Sequence, residues 1–270
     1  MELEDELRRM REDWDRRARE NARYYVATGR AEWSDEEFFA SGRAEVAEQI
    51  LNDMENVCQG RDAKTMRVLE IGCGAGRVTR ALAEVFGEVH AVDVSGEMAA
   101  MARESVRDVG NVRVYQNNGM DLSVVPDVPF DFAFSIIVFQ HIPSQDVIES
   151  YFREVHRLLR PGGLFKAQVL GAPVDRLETA AQEPAELPLK WKLTGKIPLP
   201  IRKHVLRPVR EMLSRPVEPG QAPVEEVPDT WIGVKYTAED ARRLAERCGF
   251  ELRHESGAGD EMYWLWCFKV

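Results

Sequence analysis

Leu3, Leu7, Met10, Trp14 and Ala18 recur at three- and four-residue intervals through a segment otherwise filled by charges of both signs, which is the spacing of one helical stripe. Glu4 and Arg8, Glu12 and Arg16, and Asp13 and Arg17 stand four residues apart along it, a spacing that supports a helix. The pattern predicts a helix docked by that stripe and running to about Thr28, where Gly29 breaks it. A second helix is expected over "SGRAEVAEQILNDM", residues 41–54. From there short apolar runs alternate with helical patterns, and strands are expected near residues 67–71, 88–93, 112–116, 131–137 and 163–170. "FDFAFSIIVF" is nearly continuous in apolar residues, as in a central strand buried on both faces, so its aromatics read as core. The tail, "AEDARRLAERCGFELRHES" and then "EMYWLWCFKV", reads as helix, strand and a second strand after a short connection. Such alternation predicts a parallel sheet covered by helices on both faces.

Within this pattern "VLEIGCGAGRVT", residues 68–79, turns from a buried strand into a helix through Gly72, Gly74 and Gly76. Glycines there let a ligand approach the backbone and allow positive φ. The spacing G-x-G-x-G differs from the G-x-G-x-x-G of dinucleotide sites, because Arg77 stands at its last position. Glu70, two residues before the first glycine, would repel a pyrophosphate and attract a cation, so a sulfonium cofactor suits the loop better. Asp93 closes "VHAVD" 21 residues past Gly72, at the end of the next strand, where a ribose needs its hydroxyls accepted.

These segments resemble the class I S-adenosylmethionine-dependent methyltransferases, "LEIGCGAG" their first motif and "VDVSGEM" their second, over roughly residues 43–170 and 236–270. The resemblance implies a doubly wound α/β fold with a seven-stranded, mostly parallel sheet. It carries an N-terminal helical cap (1–42) and a helical insertion (171–235) before the last helix and hairpin. It implies S-adenosyl-L-methionine as cofactor, with Glu70, Gly72, Cys73, Gly74 and Gly76 around the methionine moiety, Asp93 and Val94 at the ribose, and Met98 at the adenine. In "NNGMDL", Asn118 takes the place of the family's aspartate, and its carbonyl, with the Gly119 and Met120 backbone, would receive the adenine. Ser135 and Gln140 fall on the shelf after the fourth strand. Similar proteins fold an N-terminal helix over the cofactor, which would bring Arg23, Tyr24 and Tyr25 to the site.

His141, in "FQHIP", follows the strand whose carboxyl end faces the cofactor. Its ordinary pKa near ~6.5 suits a general base, and it is the candidate catalytic residue; a plain turn hydrogen bond is the alternative. His90 and His156 read as packing or surface residues, and His254 falls on the late strand before the final hairpin.

Lys and Arg number 36 against 46 Asp and Glu, a net charge of −10, which disfavours a nucleic-acid partner and leaves small-molecule acceptors easier to accommodate. Cys58, Cys73, Cys248 and Cys267 show no C-x-x-C pairing, so a reduced, cytoplasmic setting without a metal is expected. The charged N-terminus is no secretion signal, and no apolar run reaches the ~18 residues of a membrane span. The leading functional expectation is methyl transfer to an O, N or S atom of a small metabolite. Alternatives are a lipid, quinone-like or macromolecular acceptor, and a non-catalytic cofactor-binding protein. Oligomeric state is left open.

The proline-rich segment 171–235 stands apart. From Glu186 to Arg215 it holds eight lysines and arginines against Glu186 and Glu211. A helix is expected from about Ile201 to Ser214, kinked or broken at Pro208. A lid on the acceptor side, an anionic-ligand or peripheral membrane contact through 186–215, a subunit contact and a solvated flap are its open readings.

Overall fold

The computed structural model describes residues 2–27, 30, 32–172 and 233–270. Seven strands form a continuous path: β1 (Arg67–Ile71), β2 (Glu88–Asp93), β3 (Val112–Gln116), β4 (Phe130–Ser135), β5 (Leu159–Gly171), β7 (Phe250–Ser256) and β8 (Tyr263–Lys269), in the order β3-β2-β1-β4-β5-β8-β7. β1 to β5 run parallel, whereas β8 is antiparallel to β5 and β7. An eighth, two-residue strand, β6 (Lys235–Tyr236), pairs with the end of β5 and was not foreseen from the pattern. The helices are α1 (Glu2–Val26), α2 (Asp35–Gln49), α3 (Met54–Cys58), α4 (Arg77–Val85), α5 (Gly96–Ser105), α6 (Gln145–Leu158) and α7 (Ala238–Arg247).

Period-two alternation divides each strand between two cores. Leu69, Ile71, Ala133 and Phe165 pack with α6 and α7, while Val68, Phe132, Phe134 and Leu164 pack with α2, α3 and α4. Lys166 shares the second face and is 3 % exposed. Its Nζ donates to the Gln49 carbonyl, lies 3.1 Å from Asp53 Oδ2 and sits 4.3 Å from the Trp266 ring centre. Trp266 Nε1 donates to the same Asp53 oxygen at 2.5 Å. Burial lowers the Lys166 pKa, and the Asp53 carboxylate opposes that fall.

The elements differ from the pattern-based reading where side chains override periodicity. α1 is interrupted at Asn21 (φ −167°, ψ 81°), whose Oδ1 accepts from the Tyr24 amide at 3.1 Å and caps a redirected last turn. The expected ion pairs along α1 are partly exchanged: Asp13 does hold Arg17, but Arg8 takes Asp5 and Arg16 takes Asp13 and Glu20. α2 begins six residues early because Ser34 and Glu37 form a reciprocal capping box. It therefore runs unbroken across the expected cap boundary at 42/43. Gly42 lies inside it, where a Cβ would strike the Arg77 carbonyl of α4. β4 stops at Ser135, two residues short of expectation, because Ile137 takes a left-handed φ of 56°. The helix expected over 201–214 and the basic segment 186–215 lie outside the described residues.

Candidate active site

At the carboxyl ends of β1, β2 and β4 lies a cavity, part of it open to solvent. Its floor is the loop after β1. The Gly72 and Cys73 amides both donate to the Val92 carbonyl, at 2.8 and 3.0 Å, tying the loop to β2. Gly72 and Gly74 have φ of 76° and 52°. A Cβ on Gly72 would enter Val138, and one on Gly74 would lie 2.7 Å from Val26, so both positions need glycine for conformation and for space.

Two carboxylates flank this floor. Burial pushes Glu70 up to about 7, against the Thr79 hydroxyl and the Arg77 guanidinium. Its Oε2 is buried without a hydrogen-bond partner among the described residues. Asp93, half-buried by area, is set deeply enough that burial pushes it up to about 6. Its Oδ2 accepts from the Gly74 amide at 2.8 Å and its Oδ1 from the Ser95 amide at 2.9 Å, which leaves each oxygen a further lone pair. Beside them Arg77 is buried, its pKa lowered by that burial, and donates to the Ser41 carbonyl at 3.2 Å.

α1 roofs the cavity with Met10 and Trp14 and, beyond the Asn21 break, Tyr25 and Val26. Asp15 fixes the roof, its Oδ1 accepting from Ser95 Oγ at 2.6 Å and from the Glu97 amide at 3.2 Å, a carboxylate at the N-terminus of α5. The remaining wall is the segment after β4, including Ile137, Val138 and His141. His141 is buried in a single turn with its amide bonded to the Val138 carbonyl at 2.9 Å. Its ring meets Trp14 edge-on at 5.4 Å, and its Nε2 is 3.3 Å from Gln140 Nε2.

Of the residues singled out from the sequence, Tyr25, Glu70, Gly72, Cys73, Gly74, Asp93, Val94, Met98 and His141 line this cavity. The others stand behind it or away from it. Gly76 caps α4. Tyr24 rests its ring on Tyr25, at 5.1 Å, and Arg23 binds the Trp33 carbonyl and Asp35. Ser135 is buried against the Ile71 carbonyl, and Gln140 binds Gln168. Asn118 is exposed and accepts from the Met120 and Asp121 amides with its side chain, while Gly119 lies beneath Leu7, Met10 and Val94. Met120 is exposed. Asn117 lines the cavity instead, donating to the Tyr151 hydroxyl at 2.7 Å and to the Asp121 carbonyl at 3.1 Å. The signal for it was strand parity: Asn117 continues the face of Tyr115, and Asn118 the opposite one.

S-adenosylmethionine fits these groups. A buried acceptor without a partner, Glu70 Oε2, suits its cationic end, and the spare lone pairs of Asp93 suit vicinal hydroxyls. The two glycines clear the space between. All four cysteines are buried and free. No helix among the described residues is long and apolar enough to cross a membrane.

Residues 68–163 match the family model described as a methyltransferase domain. Phosphoethanolamine N-methyltransferase 2 of Caenorhabditis elegans is 36 % identical over 98 residues, 36 % of this chain and 22 % of that protein. The chain spans at most half the length of the curated relatives it matches first. Among solved structures, magnesium protoporphyrin IX methyltransferase (ChlM) of Synechocystis PCC 6803 with bound SAM aligns at TM-score 0.57 and 12 % identity, covering 98 % of this chain and 97 % of that one. The DhpI-SAM-HEP complex aligns at TM-score 0.55 and 19 % identity, covering 95 % and 94 %.

Proposed function

We propose that this chain, which belongs to the class I S-adenosylmethionine-dependent methyltransferases, transfers a methyl group to an O, N or S atom of a small molecule. The observation that carries the reading is the convergence of Glu70, the Gly72 to Gly74 backbone and Asp93 on one cavity. Bound there, S-adenosylmethionine supplies an electrophilic methyl group, so the protein's task is to bind, align and keep out water. Glu70 would hold the cationic end, Asp93 the ribose hydroxyls and Asn117 the far end beside Met98. Trp14, Tyr25, Ile137 and His141 enclose the remaining wall. An enclosed apolar wall supports a small acceptor over a polymer. His141 is the imidazole of that wall.

The relative acts on phosphoethanolamine and the structural neighbour on a porphyrin, so the acceptor panel should span amines, phosphorylated amines, phenols and thiols. S-adenosylhomocysteine should raise the melting temperature, because a ligand that binds only the native state stabilises it, and NAD should not. Label from the cofactor methyl should reach at least one small acceptor and neither RNA nor vesicles. Stabilisation by NAD alone, or label passing to RNA or vesicles and to no small acceptor, would overturn the reading.

A further inference from the structure

Gln168 of β5 was not among the residues the sequence pointed to, yet it is fully buried behind the cavity wall. Every polar atom of its side chain is engaged. Oε1 accepts from the Ile137 amide at 2.8 Å. The Nε2 hydrogens are shared among Gln140 Oε1 at 2.9 Å, the Val169 carbonyl at 2.8 Å and the Glu261 carbonyl at 2.9 Å. The side chain thus joins the segment after β4 to the β7–β8 connection.

Two features give this junction a role beyond packing. Ile137 is a β-branched residue at φ 56°, a conformation such residues adopt only when the surroundings impose it. Its amide is held there by Gln168. The second feature is polarity. A backbone amide only donates and carbonyls only accept, so the Gln168 side-chain amide has one possible orientation. Its NH₂ group therefore faces Gln140 Oε1, which turns the Gln140 NH₂ toward His141 Nε2, 3.3 Å away. An amide NH₂ cannot accept, so His141 Nε2 must be the acceptor and a neutral ring must carry its hydrogen on Nδ1.

We propose that Gln168 is a positioning residue. It clamps Ile137 in the left-handed conformation that shapes the cavity wall and, through Gln140, sets the tautomer of His141. On the reading that this cavity is the methyl-transfer site, His141 takes no proton through Nε2 unless Gln140 is first displaced, which bears directly on the general-base role expected of it.

Both parts are tested on the full chain without cofactor or acceptor, so they stand or fall separately from the methyltransferase reading. Two-bond proton–nitrogen spectra of labelled protein, with His141 identified by its loss in His141→Gln, should show an unprotonated Nε2 hydrogen-bonded as an acceptor. Gln140→Glu, which can only accept, should place a proton on Nε2. Amide exchange at Ile137 should speed up at least ~10-fold in Gln168→Leu and return toward the wild-type rate in Gln168→Glu, which retains an acceptor, while Phe134 stays unchanged. A protonated Nε2 in the wild type, or no change in Gln140→Glu, overturns the tautomer relay. Equal Ile137 exchange in wild type and Gln168→Leu overturns the clamp. Should Gln168→Leu fail to fold, faster Ile137 exchange in Gln168→Glu than in wild type overturns it, and wild-type protection there supports it.

Discussion

Glu70 and Lys166 are both 3 % exposed, on neighbouring parts of one sheet, but their surroundings are opposite. Lys166 is enclosed by a carbonyl, a carboxylate and the Trp264 and Trp266 rings, which together replace the water it lost. Glu70 has one oxygen without a partner among the described residues and a carboxyl displaced to about 7 by burial. A buried charge that is fully partnered ties scaffold elements together; one left short holds a place for something the chain does not contain. Lys166 joins the sheet to α2 and the turn before α3, whereas Glu70 opens on the cavity.

The sharpest way to break this contrast is at the scaffold charge. Lys166→Met leaves Asp53 without its cation and should destabilise the fold by roughly 3–5 kcal/mol, measured by denaturant unfolding, while the protein that remains folded keeps its affinity for S-adenosylhomocysteine. A parallel loss of affinity would remove the distinction between the two charges. Next comes the pH dependence of the free protein. Glu70 and Asp93 have folded-state pKa values raised to about 7 and about 6, above their unfolded values. The native state therefore binds more protons between about pH 4 and 7, and stability should fall as pH rises through that window, by at most about 3 kcal/mol for Glu70. Glu70→Gln should abolish the part of this slope near pH 7, and an unchanged unfolding profile would contradict the burial argument. The smallest effect on binding belongs to Asp93→Ala, which removes a charged acceptor and should weaken S-adenosylhomocysteine binding by roughly 1.5–3 kcal/mol. Calorimetry showing unchanged binding would remove Asp93 from the ribose.

The parts of this site legible in the sequence are those written locally. A β-branched run ending in alternate glycines declares its own turn, and Asp93 follows one strand–helix–strand unit later, so both could be placed before any coordinates. What escaped depends on partners distant in the chain. Ile137 lies within an apolar run that reads as strand, but it takes a left-handed φ and its amide donates to Gln168, 31 residues on. The shift from Asn118 to Asn117 depends on strand parity at the exit of β3, which a motif match does not count. The break in α1 rests on one asparagine inside an otherwise regular stripe, and the early start of α2 on a capping box read as loop.

The roof over the cavity has a kinetic consequence. α1 is fastened by contacts reaching far along the chain, Asp15 to Ser95 across 80 residues and Arg11 to the Asn118 carbonyl across 107, and such contacts form late in folding because loop closure must precede them. An element that docks last tends to leave first, opening below the cost of global unfolding. Val26, pressed against Gly74, makes the end of that element the door of the cavity. Residence time at this site is therefore expected to follow the undocking of α1 from α5, a clock set by Asp15 and separate from the affinity set by Glu70 and Asp93.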